Sequence, residues 1–264
     1  MNNKLIYISL IIFLCLSCSK KEPVVEELAT EERSFAIYKE ALDSMEAGDF
    51  FYASKKFEEA EAVMSKIEYS AKALLMSSFC LYSINFYDES LSALEKYLAK
   101  YPADKNIPYA HYLITSIYYE QILDEKKDLK PLLKTKEKIN FYLKTFPNSD
   151  YALDLEFKLD LVNNQLAAKE LYVAKYYITT QKWIAAINRL KLIIKDYDQT
   201  IFVEEALHRL VEIYYKIGLV AEAKETAILL GYNYNSSEWY QRSYKVLNKE
   251  YKIPKKSDLK NNDG

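Results

Sequence analysis

The stretch Gly48–Ala60, GDFFYASKKFEEA, sets an aromatic at Phe50, a small residue at Ala53, Phe57 four positions on and Ala60 three beyond that. In a helix these positions share one face, because residues three and four apart are neighbours. The alanines let a second helix approach closely and the aromatics fill the space beside the crossing. The pattern recurs: Tyr87, Ser90, Leu94 and Tyr97; Thr135, Ile139 and Tyr142; Trp183, Ala186, Leu190 and Ile193; Val220, Ala223, Ala227 and Leu230. The small anchors stand at 53, 90, 135, 186 and 223, at intervals of 37, 45, 51 and 37 residues. A chain built this way folds by stacking similar helical units, since one helical hairpin cannot bury its own apolar stripe.

Two of the intervals lie near the 34-residue period of tetratricopeptide (TPR) repeats, whose second helix carries this face. The other two contain insertions. One falls in the charged segment ILDEKKDLKPLLKTK, between a helix expected over Tyr109 to Leu123 and one that follows Pro131. The other is the run Tyr151 to Thr180, with apolar residues at Leu153, Phe157, Leu161, Leu166, Leu171, Ala174 and Tyr177 and no Gly or Pro to break it. One long helix or two tightly joined ones is expected there. Strand patterns are nearly absent, so the expectation is an all-α, TPR-type superhelix of about five helical hairpins, with an extra helix from Ser237 to Asn248. Such a stack presents a groove lined by first helices, a surface for peptides and partner domains.

The N-terminus reads as an export signal. Lys4 supplies a positive charge, Leu5 to Leu16 an apolar core, and Ser17 a small residue before Cys18. Twelve apolar residues are too few for a permanent span, which needs about 20. A small residue followed by Cys resembles the bacterial lipoprotein signal, in which that Cys is acylated and opens the mature chain; the alternative is an ordinary cleaved secretory signal. Cys18 is therefore the candidate lipidation site, and Ser19 in place of Asp favours the outer membrane in the sorting logic of such lipoproteins. The organisation expected is residues 1–17 as signal peptide, 18–32 as tether, 33–250 as the superhelical domain and 251–264 as a disordered tail.

A net charge of −2 and a pI near 5.9 argue against nucleic acid, which calls for a basic face. Cys80 is the one cysteine within the expected superhelical domain and reads as a small core residue. No catalytic constellation, metal knuckle, phosphate-cradling loop or cofactor motif stands out, so the chain is read as a non-enzyme. His111 and His208, in separate helices, read as partly exposed helix residues. The aromatic runs YYE and LYVAKYY read as core or repeat packing. Arg189 is turned outward by a helix whose other face holds Trp183, Ala186 and Leu190; it is either an ordinary surface cation or a contact.

The segment Leu171 to Leu247, and within it VAKYY, WIAAINR, VEEALHRLVE and LGYNYNSSEWY, resembles the C-terminal repeats of the BamD family, lipoproteins of the outer-membrane β-barrel assembly machine. LGYNYNSSEWY is similar to alphaproteobacterial members, and GDFFYASKKFEEAE, NIPYAHYL and FPNSDYALD match upstream. The resemblance implies a scaffold on the periplasmic face of the outer membrane, held by its N-terminal lipid. Its implied partners are a POTRA domain of the barrel subunit BamA, unfolded outer-membrane proteins and, as further candidates, other Bam lipoproteins. It also implies that Arg189, matching the arginine of the family's NR, lies at the BamA contact. Where many members carry Tyr-Pro-Phe between the first two repeats, this chain has Met64 to Glu68. The competing reading is another TPR lipoprotein of the envelope, serving cell division or peptidoglycan synthesis.

Overall fold

The computed structural model describes residues 24–122 and 129–248. Among them are eleven α-helices and no strand, and no described helix is long and apolar enough to cross a membrane. The chain divides into two compact units at Ala110/His111. In the first unit α1 (Val24–Glu46), α2 (Phe50–Val63), α3 (Ile67–Ser83) and α4 (Tyr87–Lys100) pack in sequence, each on the next. The division falls within α5 (Ile107–Glu120). The second unit continues with α6 (Lys130–Thr145), α7 (Ala152–Thr179), α8 (Trp183–Asp196), α9 (Val203–Lys216), α10 (Val220–Asn233) and α11 (Glu238–Leu247). The first helix thus begins at Val24, inside the segment 18–32 expected to be tether. The uninterrupted run after Tyr151 is a single helix of 28 residues.

The repeat register holds in every pair. Ala53, Ser90, Thr135, Ala186 and Ala223 are all wholly buried, as are Phe57, Leu94, Ile139 and Leu190 one turn on. Where the anchor carries a hydroxyl, it bonds across the helix crossing: Ser90 Oγ donates to the Ser78 carbonyl at 2.8 Å and Thr135 Oγ1 to the Tyr118 carbonyl at 2.9 Å. A hydroxyl can reach a neighbouring backbone only where the two helices nearly touch, which is why these positions refuse larger side chains.

The turns repeat too. Gly48, Asn85, Gln181 and Gly218 each stand five residues before an anchor and each has a positive φ, between 56° and 86°. Glycine adopts this left-handed conformation freely, whereas Gln181 does so at a cost of about 1–2 kcal/mol. Asp49 then caps α2 by accepting from the Tyr52 N–H at 3.0 Å, and Pro131 starts α6 in the first turn, where its missing N–H is harmless.

Each unit has its own core. In the first, Ile37, Ala41, Ala53, Phe57, Ala60, Ala73 and Cys80 pack together. Cys80 is fully buried as expected, and burial pushes its thiol up to about 12, so it is inert. Glu61 is the buried exception, accepting from Lys96 at 3.0 Å, from Lys100 and from the Tyr101 hydroxyl at 2.8 Å. Burial raises its carboxyl, but these three donors outweigh burial and hold it below the ordinary range. The pairing ties α2 to the end of α4. In the second unit the N-terminal half of α7 departs from the simple stripe: Leu155 and Val162 are buried, while Leu153, Phe157 and Leu161 are exposed.

Candidate functional site

Arg189 lies on α8 beside the stripe Ala186, Ile187, Leu190 and Ile193. Its side chain is 44% exposed, so the outward turn expected from the period is present. It is not a free cation. The hairpin of α7 and α8 brings Glu170 opposite it, and Nη1 donates to Oε2 at 3.0 Å and to Oε1 at 3.4 Å. The Glu170 side chain is only 11% exposed. One nitrogen carries the whole pairing, and among the described residues Nε and Nη2 have no protein partner. The guanidinium is therefore fixed by one corner and presents its other edge.

The surroundings are charged and partly dry. Tyr197 closes α8; burial first, then the Glu170 and Asp196 charges, raises its phenol above the usual value. Lys136 of α6 places Nζ 4.6 Å from the centre of that ring. Its ammonium is lowered by burial, which Asp196 only partly offsets. Tyr172 and Tyr176 of α7 stand 71% and 57% exposed. That corrects the reading of LYVAKYY as core or repeat packing for these two rings: Leu171 and Ala174 are buried and Tyr177 packs partly buried against the core, but the buried face of α7 follows 167, 170, 171 and 174 and leaves Tyr172 and Tyr176 outside it. Tyr118 and Tyr119 of YYE are partly buried.

The two histidines differ. His111 is half-buried against the rings of Phe141 and Phe146, with centroids 5.2 and 5.6 Å away; burial and Lys138 lower its pKa. His208, expected to be partly exposed, is buried at 3%. The reason is α11, which packs across α9 and sets Ser243 Oγ 2.8 Å from His208 Nδ1, with the Trp239 ring 5.3 Å from the imidazole. Nε2 of His208 stands 3.4 Å from Glu212 Oε1. Burial raises the Glu212 carboxyl, but hydrogen bonds from His208 and Arg209 pull it down to about 2. Serine, histidine and glutamate thus meet in the order of a hydrolytic triad. Ser243 is wholly buried, however, and no substrate reaches a hydroxyl enclosed on every side. The three side chains work as a latch holding α11 on α9. Arg209 extends it, bonding Glu212 at 2.8 Å and Glu205 at 3.1 Å, with Lys175 of α7 on Glu205 at 2.8 Å.

Cys18 lies outside the described residues. Glu170 is the member of the Arg189 site that the sequence reading missed. Its signal was present: with Leu166 and Ala174 it forms a buried i, i+4 series, and an acid in such a series needs a cation across from it.

A family model described as outer membrane lipoprotein, YfiO, matches residues 30–229. The chain belongs to this family. Two alphaproteobacterial YfiO relatives, each named outer membrane protein assembly factor BamD, are 33% identical to it. The one from Caulobacter vibrioides aligns over 234 residues, 89% of this chain and 76% of the relative. The one from Rickettsia prowazekii aligns over 243 residues, 92% of this chain and 94% of the relative. A third BamD relative, from Neisseria meningitidis serogroup A, is 26% identical over 91% of this chain and 95% of its own length. The YfiO match spans both units and includes Arg189, Glu170 and His208.

Proposed function

We propose that this chain is a lipid-anchored, non-enzymatic scaffold of outer-membrane β-barrel assembly. Cys18 carries the lipid at the periplasmic face of the outer membrane, and Arg189 docks a POTRA domain of BamA, to which the scaffold helps deliver unfolded outer-membrane proteins. Membership of a family of outer membrane lipoproteins, with relatives named as assembly factors, supports the assembly role.

The observation that carries the docking reading is the half-engaged guanidinium. Glu170 holds Nη1 from below, leaving the Nε and Nη2 edge directed away from any described partner. A carboxylate meets such an edge through two parallel hydrogen bonds, a geometry that lysine cannot reproduce. The bond to Glu170 meanwhile restrains the side chain, which lowers the entropy lost on docking. Truncating one partner of a desolvated pair costs about 2–5 kcal/mol, and about 1.4 kcal/mol is tenfold in affinity.

Titration of purified BamA POTRA domains into the protein tests this. Arg189→Leu is expected to weaken binding by about tenfold or more, with Arg189→Lys in between. Wild-type affinity in Arg189→Leu returns Arg189 to an internal partner of Glu170 and nothing further.

A further inference from the structure

The N-terminal half of α7 is apolar on two sides. One side is core: Leu155, Val162 and Leu166 are buried. Around the far side of the helix stand Leu153, Phe157 and Leu161, 77%, 63% and 37% exposed. A helix on the surface of a domain needs one apolar face, and a helix that is apolar all round is ordinarily enclosed. The outer row also extends beyond α7 itself. Asn164, seven residues after Phe157, lies on the same face, and its Oδ1 accepts the Ile201 N–H at 3.4 Å. That bond sets Ile201, 78% exposed in the turn after α8, at the end of the row. From Leu153 to Asn164 the row runs about 16 Å, three turns of helix.

The shape and the edges of the row point to what covers it. Residues at i, i+4 and i+8 form the ridge that packs into the grooves of another helix. An extended chain laid along it would leave its own N–H and C=O groups unpaired, because the side of a helix offers no free backbone groups. On one flank Glu156 and Asp160, four apart, are exposed, and among the described residues no cation of this chain is bonded to them. On the other flank the Asp154 carboxylate is engaged by the Lys158 ammonium and accepts from the Tyr112 hydroxyl at 3.0 Å. The face is therefore apolar along its middle and negative along one edge. A second copy fits it badly. Antiparallel pairing sets Glu156 and Asp160 against their own counterparts, and like charges repel there; parallel pairing sets them against a flank whose lysine is already taken.

We propose that Leu153, Phe157, Leu161 and Ile201 form a docking face for an amphipathic helix of a partner protein, whose apolar stripe covers the row and whose lysines or arginines meet Glu156 and Asp160. The proposal does not rest on Arg189 or on the partner docked there.

The probe is a fluorescein-labelled peptide of two Leu-Lys-Lys-Leu-Leu-Lys-Leu heptads, whose leucines fall on one face of a helix. Beside it run the same peptide with glutamate for lysine, and an alternating Leu-Lys peptide, which is patterned as a strand. Anisotropy titrations into the full chain are expected to show the cationic helix binding about tenfold more tightly than either of the others, and losing about tenfold in Phe157→Ser/Leu161→Ser. Both serines replace exposed side chains, and a circular dichroism melt checks that the fold is kept. Glu156→Lys/Asp160→Lys should reverse the preference in favour of the glutamate peptide. Glu222→Lys/Glu225→Lys, the same change in net charge at exposed positions of α10, should not. No binding of the cationic helix, equal affinity in the wild type and the serine variant, a reversal produced equally on α10, or tighter binding of the alternating peptide overturns the proposal. So does self-association in sedimentation that the serine variant abolishes, which would make a second copy the occupant.

Discussion

Replacing Arg189 by leucine does more than remove a surface charge, because Glu170 is left behind. That carboxylate is 11% exposed on its side chain and, among the described residues, has no other hydrogen-bond donor. Breaking a fully buried pair by removing one partner costs about 3–5 kcal/mol. Here the arginine end is 44% exposed, so water reaches the vacated position, and the expected loss falls to about 1–2 kcal/mol. For a chain of this size each kcal/mol moves the thermal midpoint by about 2–4 °C. Arg189→Leu should therefore melt several degrees below wild type. Adding Glu170→Leu should restore most of the loss, since an apolar pair of similar volume substitutes well for a buried ion pair. Binding of the POTRA domain should stay weak in the double variant, because the guanidinium is still missing. Melts followed by circular dichroism, beside binding titrations, separate the two roles. An Arg189→Leu protein with an unchanged midpoint, or a double variant no more stable than the single, refutes the pairing argument.

Three other outcomes are expected. Ala186 sits fully buried at the α8 crossing, so Ala186→Leu should overpack and destabilise by about 1–3 kcal/mol in urea titrations, while Lys182→Leu at the exposed start of α8 should change little. Glu212 has a folded value of about 2 against an ordinary 4.5, so its stabilising contribution is present above about pH 4.5 and is lost as pH falls toward 2. Glu212→Gln should accordingly be less stable than wild type at neutral pH, with the gap closing across that acid window. Metabolic labelling with a palmitate analogue should fail in Cys18→Ser and persist in Cys15→Ala; retained label in Cys18→Ser would rule out this lipid site.

The helical register was legible because it is local. Small and large residues three and four apart are read along one helix, and all five anchors are buried where the period put them. Arg189 was legible as an outward residue for the same reason. Its partner was not, because Glu170 is 19 residues away on another helix and only the hairpin angle brings the two together. His208 was misread as partly exposed for a related cause: its cover comes from Ser243 and Trp239, on a helix whose docking position nothing in the local pattern specifies. Tyr172 and Tyr176 of LYVAKYY misled because aromatic spacing alone does not tell a buried face from a displayed one; Tyr177 of the same run does pack against the core. The left-handed turns were not read from the sequence: glycine at 48 and 218 adopts the conformation freely, but at Asn85 and Gln181 a side chain tolerates a conformation it does not favour, so no single residue type marks the turn.

The central claim is that this chain works by holding BamA. The measurement that tests it most directly is mass spectrometry of what co-purifies with the tagged full-length protein from detergent-solubilised envelopes, run beside the Arg189→Leu/Glu170→Leu variant. BamA should be prominent with the wild type and depleted by about tenfold or more with the variant, in line with the loss of a docking pair. Recovery of division or peptidoglycan-synthesis proteins without BamA, or BamA at equal levels in both, would contradict the account.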